Sequence, residues 1–141
     1  MKKITKMNMV ILMIVAIVIG AGCSNPIPVP TIESRIVGKW TMKTAVGHYV
    51  TQGVPLNQTT NFTATDYFDF RADGTLSIAE TGKSYQGKWK VVGNKIIFSE
   101  TNYIDYPNGF DIKILTANDF QIYYTETKQI SSLEQWLNFA R

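Results

Sequence analysis

The chain has 141 residues and a mass of 15.9 kDa, enough for one folded domain. Hydrophobic residues make up 45% and charged ones 18%, which excludes a disordered tail and a multi-span membrane protein. The formal charge of +3 overstates its basicity: Lys2, Lys3 and Lys6 crowd the start, leaving 11 of the 14 Lys and Arg to face 11 Asp and Glu. A neutral domain has no electrostatic footprint for nucleic acid. One His and one Cys leave little material for a His/Cys metal site or a Cys–His nucleophile.

Lys2, Lys3 and Lys6 form a cationic start, and Met9 to Gly22 follows as an uncharged, largely aliphatic run. As a helix that run would span about 21 Å, short of the ~30 Å hydrocarbon core. It reads as an export signal. Ile19-Gly20-Ala21-Gly22-Cys23 resembles a bacterial lipoprotein signal, which implies cleavage after residue 22 and a diacylglyceryl group on the Cys23 sulfur. Cys23 is the only cysteine, and an odd cysteine in an exported chain is explained by lipidation. Two or three acyl chains of the palmitate kind, at about 0.8 kcal/mol per buried CH₂, anchor a protein stably. Residues 23–34 then read as a tether, because Pro26, Pro28 and Pro30 alternate and exclude helix or interior strand. Extended at about 3 Å per residue, the tether holds the domain roughly 30 Å from the bilayer. Ser24 is not the inner-membrane retention aspartate and no acidic run follows it, so the expected location is the cell envelope, outer membrane, facing the periplasm.

From residue 35 the pattern has period two, broken by turn signals every eight to twelve residues. Phe68 and Phe70 share one face, Asp73-Gly74 makes a hairpin turn, and Leu76 and Ile78 continue the apolar face. Thr81-Gly82-Lys83 turns the chain into a strand with Tyr85, Gly87, Trp89 and Val91 on one side. After Gly93-Asn94 come Ile96 and Phe98, then Phe110, Ile112 and Ile114, and past Ala117-Asn118-Asp119 come Phe120, Ile122 and Tyr124. This is an all-β, antiparallel up-and-down meander. Consecutive hairpins favour closure into a barrel, which removes exposed edges.

Two segments break the alternation. Thr44 to Ala64, with two lone glycines, Pro55 and a polar Asn57–Asn61 stretch, reads as a long loop. Ser131 to Arg141 has capping-box spacing at Ser131 and Glu134, and Leu133, Trp136, Leu137 and Ala140 fall on one helical face. A short C-terminal helix is the expectation, with a closing strand as the alternative.

The run Ile36-Val37-Gly38-Lys39-Trp40, then Tyr67 to Thr75, then Gly87-Lys88-Trp89-Lys90-Val91 resembles the lipocalin-like domain of small Bacteroidetes-type lipoproteins. The likeness implies a lipocalin-like β-barrel domain over residues 35–141, with Gly38, Trp40 and Trp89 structural and Trp40 at the closed end. Arg141 is the only basic residue near the C-terminus that could pack over Trp40. Seven strands are evident in the pattern, against the family's eight. The resemblance also implies a cup for a small hydrophobic or amphipathic ligand, with the first long loop as its lid. In that topology the inward residues nearest the rim are Phe68, Ile78, Tyr85, Phe98, Phe110 and Tyr124, and His48 and Tyr49 hang over the mouth; Tyr85 and Tyr124 would make the polar contacts.

Catalytic and metal chemistry finds little support. Asp69-x-Arg71-x-Asp73-Gly74 with Glu80 has the spacing of a calcium loop, but Arg71 stands where an oxygen ligand is needed and the flanks alternate like strands. His48 has no partner set for nucleophilic catalysis. The expected function is non-catalytic, without cofactor or metal: a membrane-anchored binder of a small ligand. The alternative is a protein-interaction module of the cell envelope, an assembly factor or enzyme inhibitor, whose barrel is filled by its own side chains.

Overall fold

The computed structural model describes residues 28–104 and 106–141; the expected signal peptide, Cys23 and the first part of the expected tether lie outside them. The folded domain starts earlier than residue 35. Thr31 caps a one-turn helix, α1 (Ile32–Ile36), its hydroxyl accepting the Ser34 amide at 3.2 Å. Ile36 is fully buried, so α1 stoppers one end of the barrel and the tether ends at its cap. The chain then enters β1 (Gly38–Thr51) through Gly38, whose φ of +120° L side chains rarely adopt. A Cβ there would also lie 3.1 Å from the Arg141 guanidinium.

That guanidinium is what the closed end needs. Arg141 stacks over the Trp40 ring, its Cζ 4.0 Å from the centroid, and donates to the backbone oxygens of Val37 at 2.5 Å and Ile36 at 3.3 Å. Trp40 is fully buried and its indole N–H donates to the Ile36 carbonyl at 2.6 Å. Helix, first strand and C-terminus are thereby tied at one point.

The remaining strands are β2 (Val54–Asn61), β3 (Tyr67–Phe70), β4 (Thr75–Glu80), β5 (Lys83–Val92), β6 (Lys95–Ser99), β7 (Phe110–Leu115), β8 (Asp119–Lys128) and β9 (Ser131–Ala140). All adjacent pairings are antiparallel, and β9 pairs with both β8 and β1. Eight strands close the barrel, and β2 is an extra one on the edge of β1 beyond β3. The meander is confirmed, with two strands, β2 and β9, beyond the seven that the apolar pattern reveals.

Both irregular segments of the sequence turn out to be strands. Residues 44–64 hold the upper part of β1 and β2, joined by a two-residue turn in which Gln52 and Gly53 both have positive φ. A bulge between Met42 and Thr44 reverses the phase, so Trp40 and Met42 point inward below it and Ala45, Gly47 and Tyr49 above it. β2 is exposed at every residue, which is why its composition is that of a loop. The expected C-terminal helix is β9. Its Leu137 and Phe139 are buried, and its backbone bonds to β8 and β1, whose facing edges a surface helix would leave unpaired. Asn138 adds a side-chain ladder, accepting from Gln121 at 2.7 Å and donating to Thr44 at 2.9 Å.

The barrel interior is packed with rings. Phe68 lies among Phe139 at 5.1 Å, Phe70 at 5.9 Å and Phe98 at 6.0 Å between centroids, and Trp89 closes on Phe70 at 5.2 Å. Trp89 is buried and its indole N–H reaches the Arg71 carbonyl at 3.0 Å, behind the Asp73-Gly74 turn. That turn is held by Asp73, which accepts from the Thr75 amide and hydroxyl, as a hairpin and not as a cation loop.

Where β2 gives way to β3, buried Asp66 pins the connection. Its carboxylate accepts from the Thr63 amide, the Thr63 hydroxyl and the Thr81 amide, each at 2.7 Å. The bonds from Thr63, then that from Thr81, hold its pKa below the ordinary carboxylate value against the opposing effect of burial. A lowered folded pKa stabilises the fold above the unfolded value and loses that contribution as pH falls through the folded one. The stability gap between the wild type and Asp66→Asn, measured by urea unfolding, should therefore be widest at neutral pH and narrow below about pH 4. A gap independent of pH would overturn this role.

Candidate ligand-binding site

The wall of the barrel is uneven in height. β3 pairs with β1 only up to Thr41, whereas β2 and β9 accompany β1 to Thr51. β1 and β9, flanked by β2 and β8, therefore run about ten residues past the low side, roughly 33 Å of strand at ~3.3 Å per residue. The low side ends at Glu80 on β4, which pairs with Lys83 across the turn into β5.

Residues 100–104 and 106–109, between β6 and β7, fold back over the filled core. Ile104 is buried, Tyr103 packs on Tyr85 at 4.8 Å and on Phe68 at 5.8 Å, and Tyr106 stacks on Tyr124 at 3.8 Å. The Tyr106 hydroxyl reaches Gln135 Oε1 at 3.4 Å. This connection plugs the mouth, a role given beforehand to the segment 44–64. The residues were visible as aromatics in the sequence, but no periodicity marks which loop lies across an opening.

Between plug and tall wall remains a recess of about 240 Å³. Ala45, Gly47 and Tyr49 of β1, Gln58 and Thr60 of β2, and Gln135 and Leu137 of β9 form its back; Phe62, Glu80 and Tyr103 form its front. Gly47 lets the Tyr49 ring lie over it: a Cβ there would lie 2.6 Å from that ring and push it aside. Tyr103 keeps its proton far above neutral pH, chiefly because it is buried and further because the Glu80 carboxylate is beside it. Among the described residues no Lys, Arg or His lines the recess, and Glu80 is its one charged group.

Of the expected ligand contacts, Tyr49 lines the recess. Phe68, Ile78, Phe98, Phe110 and Tyr124 are in the buried core, and half-buried Tyr85 packs against that core beneath Tyr103. His48 does not overhang the mouth. Strand alternation turns it to the outer face, where its Nδ1 meets Asn57 Oδ1 and its ring meets the edge of Trp136 at 5.2 Å. Glu80, Tyr103 and Gln135 were missed. The phase reversal in β1 and the reading of β9 as helix hid the inward register that gathers them with Tyr49. Among the described residues no group of three or more His, Cys, Asp or Glu is placed to hold a metal ion.

No curated protein and no solved structure matches the chain. The family model described as a lipocalin-like domain matches residues 36–122, more than half of the sequence and the whole barrel up to the middle of β8. With a closed eight-stranded antiparallel barrel, its first-strand Gly-x-Trp motif stapled by the last residue, the chain belongs to the lipocalin-like domain family.

Proposed function

We propose that this protein is a lipid-anchored envelope lipoprotein whose barrel binds one small amphipathic ligand in the recess above its core, without chemistry on it. The observation that carries the reading is the recess itself, a cleft with apolar and hydrogen-bonding groups side by side on a rigid strand wall. At about 240 Å³ it is smaller than the ~300–1,000 Å³ of drug-sized sites, so its ligand is small. The rings that fill the barrel below leave a long acyl chain nowhere to go, which moves the expected ligand from hydrophobic to amphipathic. The anchor rests on the cationic start, the short apolar run and the lone Cys23; outer-membrane placement, facing the periplasm, rests on Ser24.

The test is native mass spectrometry of the full chain, purified gently in detergent from its own membranes, with its organic extract analysed alongside. The expected result is a stoichiometric small-molecule adduct lost on denaturation, and an N-terminal peptide carrying acyl mass on Cys23. A bare mass, unchanged after incubation with envelope extract, would sink the small-ligand reading, and an unmodified Cys23 would sink the anchor. β2 favours a second reading, a docking module for an envelope protein. It lies at the end of the strand order with one edge unpaired, and exposes Val54 and Leu56 at 68% and 62%. Proteins retained on the wild type and lost with a charge or proline in β2 would support that reading.

A further inference from the structure

The charge and the rings of the recess point to one class of ligand. Glu80 is half-buried, makes no ion pair among the described residues, and stands beside the Tyr103 hydroxyl. Beside it stand the faces and hydroxyls of Tyr49 and Tyr103 and the ring of Phe62. Gln58, Thr60 and Gln135 add carbonyl and hydroxyl oxygens that accept hydrogen bonds. Buried Asp66 lies close enough to act on Tyr103 as a second negative charge. A carboxylate or phosphate ligand would meet Glu80 with no cation among the lining residues, Lys83 across the turn lying outside them. A positively charged ligand meets a counter-ion, aromatic faces and acceptors together, the combination that recognises ammonium groups.

We infer that the recess is a binding site for a small organic cation, a protonated or methylated amine on a short or singly aromatic skeleton, with Glu80 as counter-ion and Tyr49, Tyr103 and Phe62 as its aromatic walls. This rests on the reading of the recess as a ligand site. The volume, about 240 Å³, admits one ring with a short arm. The ammonium end sits at the front against Glu80, and the skeleton lies along Leu137 and Ala45 of the back wall.

Calorimetry on the full chain in detergent tests this with three probes of one size: tyramine, its neutral analogue 4-ethylphenol, and the anionic 4-hydroxyphenylacetate. Tyramine should bind at least about tenfold more tightly than either of the others, as expected for an ion pair in a partly desolvated site. Glu80→Gln should weaken tyramine by about tenfold and leave 4-ethylphenol unchanged. The comparison of probes on the wild type needs no variant, so a misfolded substitution cannot obscure it. If the neutral or anionic probe binds as well as tyramine, and Gly47→Leu abolishes that binding, the cation inference fails and the recess stands as a ligand site. If no probe binds and the purified protein carries no adduct, both readings fail.

Discussion

Trp40→Ala is expected to cost the domain about 3–5 kcal/mol, a large share of the ~5–15 kcal/mol that holds a domain folded. The residue is fully buried, its ring packs on Phe120 at 5.3 Å, and its indole N–H is taken up by the Ile36 carbonyl. Removing it leaves a cavity at the junction of α1, β1 and the C-terminus and strips Arg141 of the face it stacks on. Arg141→Ala alone should cost less, about 1–2 kcal/mol, from the lost cation–π contact and the backbone oxygens deprived of a donor. Because the two groups share one contact, the double variant should lose less than the two single losses added together. Urea unfolding followed by far-UV circular dichroism measures all three. A Trp40→Ala protein within about 1 kcal/mol of wild type would show that the closed end is not what staples this barrel.

The second large effect is at the centre of the core. Phe68→Ala should destabilise by about 3–5 kcal/mol and open an apolar cavity directly beneath the Tyr103 plug. Phe68 touches four other rings, Phe139, Tyr103, Phe70 and Phe98, at centroid distances of 5.1–6.0 Å, and the neighbours cannot collapse without leaving their strands. A cavity lined by such residues stays dry and takes small apolar molecules. The variant should therefore gain stability in benzene-saturated buffer, where the wild type does not. An equal gain in both proteins would mean that the native barrel already holds an open apolar space, and would return the ligand to the interior. This experiment thus separates a deep cup from a filled barrel with a surface recess.

Much of the barrel is legible in the chain because alternation is a local property. Phe68 and Phe70, Leu76 and Ile78, and Phe120 and Ile122 mark inward faces two residues apart, and glycine-bearing turns separate the strands. The place of Trp40 at the closed end is legible only through the likeness of its Gly-x-Trp run to the lipocalin-like family, and the stacking of Arg141 on it depends on closure of the barrel. The C-terminal strand is not legible locally, since Leu133, Trp136 and Leu137 satisfy a helix as well as a strand. What selects the strand is the open seam between β8 and β1, where β9 completes hydrogen bonds on both edges and buries Leu137 and Phe139.

The site is less legible still. Tyr49 could be placed near the mouth, but the bulge at Lys43 reverses which residues of β1 face inward, and so sends His48 outside. β2 carries no apolar face because neither of its faces is covered, leaving its composition without a strand signature. Tyr103, Ile104 and Tyr106 plug the opening only because β6 and β7 end beside it, and Glu80 reaches the recess only because β4 stops short of the wall opposite. Inward and outward are written residue by residue. Which gap a loop fills, and which carboxylate is left facing a tyrosine, depends on strands far apart in the chain reaching unequal heights around one closed ring.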